Sequence, residues 1–543
     1  MPVENVTTRA ALAALAAPTG KTSFLAEDGR EGLFEFRTGN FTSQVAADPL
    51  QGLFVASSVV AVSSGCWVRI WDEVYGRPEW FGAVTNSGTA NCLPALEACV
   101  SLCPVTLLGS KDYWITSTWK IDQSYRTIKA DVNSDSYNTG HGARIVCTDP
   151  SKDVVQIGPS VMPSGGTSTF TRNMKVEGFA VLHSAGVNPP AVGQEANGVC
   201  GFRVQYVLNL EADNLISSEN IIGFRCYGIV ASWFTKCNAF RSLNALSGSS
   251  PDLFFGWYLQ GTPSILSGGG GNASVYFDRC SVTVGNSPAL PGGSIGFYAV
   301  GNFVDTFVRD FETSALRKGV VLDGQDWNGT GKTTQVDFLL ENPVLDTCAQ
   351  KGIEIINTNR SCQIEISNPY VALLPGGTAG MWINQTGGQI RIQGGRMIGY
   401  GDAPAIFISQ TSGVEVDGCS ISNYGGTVCY VEYSKNFRIS PSINNQDYTS
   451  SSAAVYIRDS KFGHVAPSVK GKANAFPQGI YLLYANNDKI VIDPTLVDAS
   501  CVSGGATNKL QINGTSIVSP GYYTSSGSAG AVGAGISVTG ITA

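Results

Sequence analysis

Between residues 350 and 495 one pattern of apolar and polar positions recurs: a small residue, then aliphatic, outward, aliphatic. It reads Gly352-Ile353-Glu354-Ile355, Gly380-Met381-Trp382-Ile383, Ala405-Ile406-Phe407-Ile408, Val428-Cys429-Tyr430-Val431, Ala454-Val455-Tyr456-Ile457 and Gly479-Ile480-Tyr481-Leu482. Each quartet alternates with period two, which is strand behaviour. Successive starts lie 28, 25, 23, 26 and 25 residues apart. A second alternating series lies between them, at Gln363-Ile364-Glu365-Ile366, Gln389-Ile390-Arg391-Ile392, Gly413-Val414-Glu415-Val416 and Asn436-Phe437-Arg438-Ile439, with starts 26, 24 and 23 residues apart. Two interleaved series with one period mean one structural unit repeated.

A unit this short, with no amphipathic helix, cannot bury its apolar face alone, whereas stacked units bury a continuous core. The simplest arrangement is a parallel β-helix, one coil per repeat, with each strand bonded to its equivalent in the next coil at about 4.8 Å. A propeller needs about 40–45 residues and four strands per blade, more than this period supplies. The expected fold class is therefore all-β: a parallel β-helix (solenoid) with a small N-terminal β-rich head and a capping helix.

The opening series extends backwards through Gly201-Phe202-Arg203-Val204, Gly228-Ile229-Val230-Ala231, Gly256-Trp257-Tyr258-Leu259, Gly296-Phe297-Tyr298-Ala299 and Gly319-Val320-Val321-Leu322. Its long intervals hold insertions at 263–272 and 324–334. In repeat folds such insertions map to loops on one face, often the binding face. Shorter runs at 105–108, 113–115, 127–130, 144–146, 154–157 and 173–183 read as the first coils. Before them, 26–36 and 65–72 read as short antiparallel strands with glycine turns. The alanine-rich run at 10–17 reads as a surface or trimer-contact helix rather than a signal peptide, since Glu4 precedes it. Leu93, Leu96, Cys99, Val100 and Cys103 keep a helical period. The expected organisation is a head at 1–75, a capping strand and helix at 76–103, the β-helix at 104–499, and a Gly/Ser-rich element at 500–543, either a trimerisation element or a loosely ordered tail.

Composition narrows the function. The chain has 543 residues, 14% charged, with a net charge of −7. No basic stripe is present to neutralise phosphates, which argues against nucleic acid. No apolar run reaches 18 residues, so no membrane-inserted helix is expected. Fourteen cysteines contain no CxxC pair and only three histidines accompany them. They read as small core hydrophobes in a chain folded in a reducing cytosol, with no metal site and no cofactor. Gly329-Thr330-Gly331-Lys332-Thr333 imitates a phosphate-binding loop, but Asp326 stands where that motif needs glycine.

Chemistry is sought on the outward positions of the opening series. They read Arg203, Val230, Tyr258, Tyr298, Val321, Glu354, Trp382, Phe407, Tyr430, Tyr456 and Tyr481. An exposed aromatic column means an interface or a ligand platform. From Trp382 to Tyr481 the trimer interface is favoured. Tyr258 and Tyr298, beside the insertions, are favoured as sugar-stacking rings, with Trp382 a further candidate. Glu354 breaks the column, and burial near rings is expected to raise its pKa. Asp323 points outward two residues past Val321, the position that stacks under Glu354. One coil (about 4.8 Å) and two residues (about 6.6 Å) place the two acids roughly 8 Å apart. That lies within the window of about 6.5–9.5 Å for inverting glycoside hydrolysis. Asp326 and Trp327, in the inserted loop, would supply a second acid and a stacking ring, with Asp310 and Glu312 as reserves. The competing reading is that each acid is a solvated surface charge.

The strings GREGLFEF (29–36), GCWVRIWD (65–72), RPEWFGA (77–83) and NCLPALEACV (91–100) resemble the start of bacteriophage tailspike and capsule-depolymerase proteins, which carry a pectin-lyase-like right-handed parallel β-helix. In that family a "WFGA" strand and a short helix cap the first coil. By motif the resemblance covers the first hundred or so residues, and by repeat architecture the remainder. It implies a homotrimeric virion protein made in the host cytoplasm and attached by its N-terminus to a phage tail or baseplate protein. It further implies action outside the cell on a bacterial surface polysaccharide, whether capsule, exopolysaccharide or O-antigen. Glycoside hydrolysis is the expected chemistry, although the resemblance transfers no site residue. The alternatives are a non-cleaving attachment adhesin and a polysaccharide lyase, which would need a base such as His183 or Tyr298 with Arg309 to neutralise a uronate.

Overall fold

A computed structural model describes residues 3–16, 19–131, 142–184, 198–242, 253–261, 272–285, 293–325, 336–450, 452–483, 487–494, 496–503, 509–512, 515–516, 521–523 and 536–539. The fold is all-β, with a small N-terminal sheet and a large parallel sheet system wound as a β-solenoid. The chain divides into two compact units, one of residues 1–188, 197–224 and 232–240, the other of 189–196, 225–231 and 241–543.

In the first unit, Thr22–Leu25, Gly32–Thr38 and Gly65–Arg69 pair antiparallel, Glu4–Val6 joins parallel, and Phe54–Val55 closes the other edge. The alternation of Leu33-Phe34-Glu35-Phe36 turns both phenylalanines inward, against Trp67 and Leu12. Leu12 belongs to the helix Arg9–Ala14, capped by the Thr8 side chain. That helix therefore has a buried face within this sheet's core. Pro78–Phe81 is a 3-10 turn rather than the strand that the family resemblance implies: Pro78 lacks the N–H a ladder needs, and Gly82 closes the turn at φ 93°. The helix Leu93–Leu102 buries Ala95, Leu96, Cys99 and Val100, as its period predicts. Coils follow: Val105–Leu108 pairs parallel with Thr127–Ala130, and Asp112–Ile115 with Ala143–Cys147.

In the second unit each coil contributes a strand to each of three parallel sheets. The opening series forms the first sheet, in which Val321 pairs with Glu354, Glu354 with Trp382, Trp382 with Phe407, and so on to Tyr481. The second alternating series forms the second sheet, where Gln363–Ser367 lies on Gln389–Gln393 in unbroken register. Strands such as Tyr370–Leu373 and Arg396–Gly401 form the third. The small residue that opens each first-sheet strand has a physical cause. A Cβ added at Gly352 would stand 2.3 Å from a Val371 methyl and 2.8 Å from the Gly380 carbonyl. Pairing also runs beyond the point where the sequence pattern fades: Leu510–Ile512 lies on Ile480–Leu483, and Ile536–Val538 on Ile490–Ile492.

All fourteen cysteines are buried. Cys429 occupies the inward phase between Ile406 and Val455. Burial pushes the Cys66 and Cys348 thiols up to about 12, which suppresses thiolate chemistry at those positions. Among the described residues no helix is long and apolar enough to cross a membrane.

One residue leaves the expected column. Gly201 faces the Gly223 carbonyl and Phe202 stacks on Phe224, so the series steps to 223–226 rather than to 228–231. Arg225, not Val230, lies over Tyr258, its guanidinium carbon 5.6 Å from the ring centroid. An earlier Gly-aromatic-x quartet satisfied the same pattern, and only pairing separates the two.

Candidate acid pair on the first sheet

The strands Lys318–Asp323 and Lys351–Ile356 bring together a charged cluster on the outer face of the first sheet. Register aligns Lys318 with Lys351, Val321 with Glu354 and Asp323 with Ile356. Asp323 thus stands one coil before and two residues beyond Glu354, as the alternation predicts. Both carboxyls are nearly closed off from solvent, at 8% and 5% exposure. The same burial has opposite outcomes at the two positions.

At Asp323, burial pushes the carboxyl above its ordinary range, and the neighbouring Glu354 charge adds to the effect. The Asn357 side chain and the Gln325 backbone N–H, each donating to Oδ1 at 2.9 Å, oppose it without prevailing. At Glu354, burial alone would also raise the carboxyl, as expected from the sequence. The structure corrects that expectation, because Lys318 and Lys351 outweigh burial and hold the group below its ordinary range. The Lys318 ammonium lies 2.6 Å from Oε2, and Lys351 donates to Oε1. Lys351 is itself depressed, by burial first and then by Lys318. Its ammonium also sits 4.3 Å from the Trp382 ring centroid. The lysines were legible after all: Lys318-Gly319 and Lys351-Gly352 put the same dipeptide at the same phase of adjacent repeats.

The remaining candidates fall elsewhere. Asp326 and Trp327 lie outside the described residues. Asp310 sits at a corner with φ 49°, its carboxylate accepting from Asn342 at 3.2 Å, and Glu312 is exposed at the start of a third-sheet strand. Neither joins Asp323 and Glu354. Tyr298 stands in register with Val321, its ring 5.4 Å from Tyr258 and stacked on Phe255 at 5.6 Å. Tyr258 is buried.

The column from Trp382 onward is a ladder of rings stacked on one another. Centroids are 4.0 Å apart for Trp382–Phe407, 5.3 Å for Phe407–Tyr430, 5.0 Å for Tyr430–Tyr456 and 5.5 Å for Tyr456–Tyr481. The ring faces are therefore spent on each other, leaving edges outward. On the Glu354 side, the Trp382 ring carries the Lys351 ammonium. Among the described residues no group of three or more His, Cys, Asp or Glu side chains could hold a metal ion.

The fold resembles phage tailspike and parallel β-helix proteins. A double mutant of the tailspike protein of Escherichia coli bacteriophage HK620, in complex with a pentasaccharide, matches with a TM-score of 0.58 at 11% identity, over 87% of this chain and 84% of that one. The gp42 tailspike of Acinetobacter phage vb_AbaP_AS12 matches at 0.47 and 13%, over 91% and 75%. The A-module of the mannuronan C-5 epimerase AlgE6 of Azotobacter vinelandii matches at 0.44 and 13%, over 77% and 99%. No protein-family model matches the chain, and no curated protein matches it in sequence.

Proposed function

We propose that this chain is a phage tailspike, a homotrimer built on a right-handed parallel β-helix, that binds and hydrolyses a bacterial surface polysaccharide. Asp323 is its general acid and Glu354 its general base. The observation that carries the reading is two buried carboxyls set one coil and two residues apart, Asp323 held by neutral donors and Glu354 by two lysines, which displaces their pKa values in opposite directions. Pairs of titratable groups pushed apart in this way mark acid and base assignments. Their offset of one coil and two residues, roughly 8 Å, suits an inverting displacement with water between them. Val321 interrupts the ring column between Tyr298 and Glu354. A sugar stacked on Tyr298 would bring its glycosidic oxygen towards the acids. The fold shared with a tailspike solved with a pentasaccharide supports the substrate class. In this reading residues 1–75 attach to the phage tail or baseplate, residues 76–103 cap the first coil, and 104–499 carry the β-helix. The 500–543 element contributes to trimer assembly, and the protein acts outside the cell.

The test is product mass after incubation with surface polysaccharides from a panel of bacteria. Fragments carrying one added water, abolished in D323N and E354Q, support the proposal. Fragments of unsaturated mass would make the protein a lyase, and retention of polysaccharide without fragments would make it an adhesin. Hydrolysis that survives both substitutions would move the site elsewhere. The alternative is the 410 Å³ groove on the second sheet, which has Asp305, Asp337 and Glu365 among its lining residues.

A further inference from the structure

A second concave surface lies at the corner that follows the first-sheet strands. It is a groove of about 630 Å³ crossing five consecutive coils, about 19 Å at one strand spacing per step. Its floor is a ladder of hydroxyls: Thr358, Thr386, Thr411 and Ser434, all at least nine-tenths buried. Three of them are spoken for. Thr358 donates to the Gly387 carbonyl at 3.0 Å, and Thr411 donates to Ser434, which itself donates to the Glu432 carbonyl at 2.7 Å. Thr386, 5% exposed, lines the groove with no partner for its hydroxyl.

The corner is built by residues in the left-handed region, among them Gln410, Tyr433 and Asp459 at φ 53°, 48° and 45°. Cations line the same groove. Lys435 and Lys461 stand in register on adjacent coils, and Arg360 stands at the far end. All three are exposed, and none forms an ion pair among the described residues. The acid in the groove, Asp459, is paired with Arg458 at 3.6 Å. Three uncompensated positive charges thus line one polar groove on a chain whose net charge is −7.

We infer that this corner groove is a binding site for an anionic oligosaccharide, separate from the acid pair. The polar side chains and backbone along the corner, among them Asn359, Gln385, Gln410 and Ser412, match a chain of sugar hydroxyls. The cations, Arg360 at one end and Lys435 and Lys461 at the other, match carboxylate, sulfate or phosphate groups repeated along the sugar chain. Nucleic acid fits poorly, because the groove has one exposed ring, Tyr433, and that ring faces the Arg458 guanidinium at 5.3 Å. The inference rests on the polysaccharide reading for the class of ligand only, and not on cleavage. In an attachment protein such a site would hold the chain while the acid pair cuts it.

Calorimetric titration of the full-length protein with hexagalacturonate, a sulfated hexasaccharide and neutral maltohexaose tests the assignment without turnover. Binding of an anionic hexasaccharide is expected, weakening as salt rises. K435Q/K461Q should lose about tenfold in affinity at unchanged thermal midpoint. Any one of four results overturns the inference: no binding of either anionic probe, equal binding of maltohexaose, unchanged affinity in K435Q/K461Q, or equal binding of a single-stranded oligonucleotide at the same salt. Because binding is read directly, a protein that cleaves nothing can still pass this test, and one that cleaves can fail it.

Discussion

Asp323 and Glu354 stand one coil and two residues apart on a single face, and equal burial leaves one easier to protonate and the other ionised. The difference lies in their partners. Asp323 receives neutral N–H donors, which do not cancel the cost of burying a charge, whereas Glu354 receives two ammonium groups, which do.

Replacing Asp323 with Asn should abolish cleavage by about 10²–10⁴-fold, the contribution of a positioned general acid, while leaving the fold at least as stable. A carboxyl whose folded pKa is raised contributes stability below its unfolded pKa and loses it as pH rises through the folded value. Ionising Asp323 in the folded protein therefore costs stability. The D323N thermal midpoint should equal or exceed wild type at pH 7 and lose that advantage towards pH 4. A lower midpoint at pH 7 would make Asp323 a structural acid.

Glu354 behaves in the opposite sense. Its folded pKa is depressed, so its stability contribution is present above the ordinary carboxylate range and lost as pH falls through the folded value. E354Q leaves Lys351 buried beside Lys318 without their shared anion. The expected cost is about 3–4 kcal/mol in denaturant unfolding at pH 7, the lower part of the range for a broken buried pair because Lys318 is partly solvated. The acid-side loss should be shallower in E354Q than in wild type.

Lys351→Met keeps the bulk against Trp382 and removes one ammonium from Glu354. The Glu354 carboxyl then rises, so the acidic limb of the kcat/KM profile should move to higher pH with the substrate contacts otherwise unaltered. A limb that stays in place would show that Glu354 is not the base.

Tyr430 is stacked on Phe407 and Tyr456 at once. Y430A should cost about 1–3 kcal/mol, from two ring contacts at about 0.5–1.5 kcal/mol each. The loss should appear as faster amide exchange confined to the neighbouring coils, because a solenoid's stability is a sum of nearest-neighbour terms. Uniform exchange along the chain would contradict that additivity.

The sequence by itself determined the repeat and its consequences. Period-two quartets at near-constant spacing specify strands, inward and outward faces, and which residue stacks on which, because in-register parallel pairing copies sequence phase into space. That is why the Asp323–Glu354 offset and the ring ladder were legible from residue numbers alone. Where two quartets competed for one coil, at 223–226 and 228–231, phase was ambiguous and pairing decided for Arg225. Repeat phase carried a signal for Lys318 and Lys351 beside Glu354, but the balance of burial against partners that sets the charge of each acid was decided by the tertiary structure. A carboxyl's charge depends on what surrounds it within a few ångströms, and Lys318, 36 residues before Glu354, becomes its neighbour only when one coil lies on the next. The hydroxyls of the corner groove share one repeat position, since Thr358, Thr386, Thr411 and Ser434 each fall six residues after a quartet opens, but Arg360, Lys435 and Lys461 do not share one, and only the stacking of left-handed corners joins them to the hydroxyls as one surface.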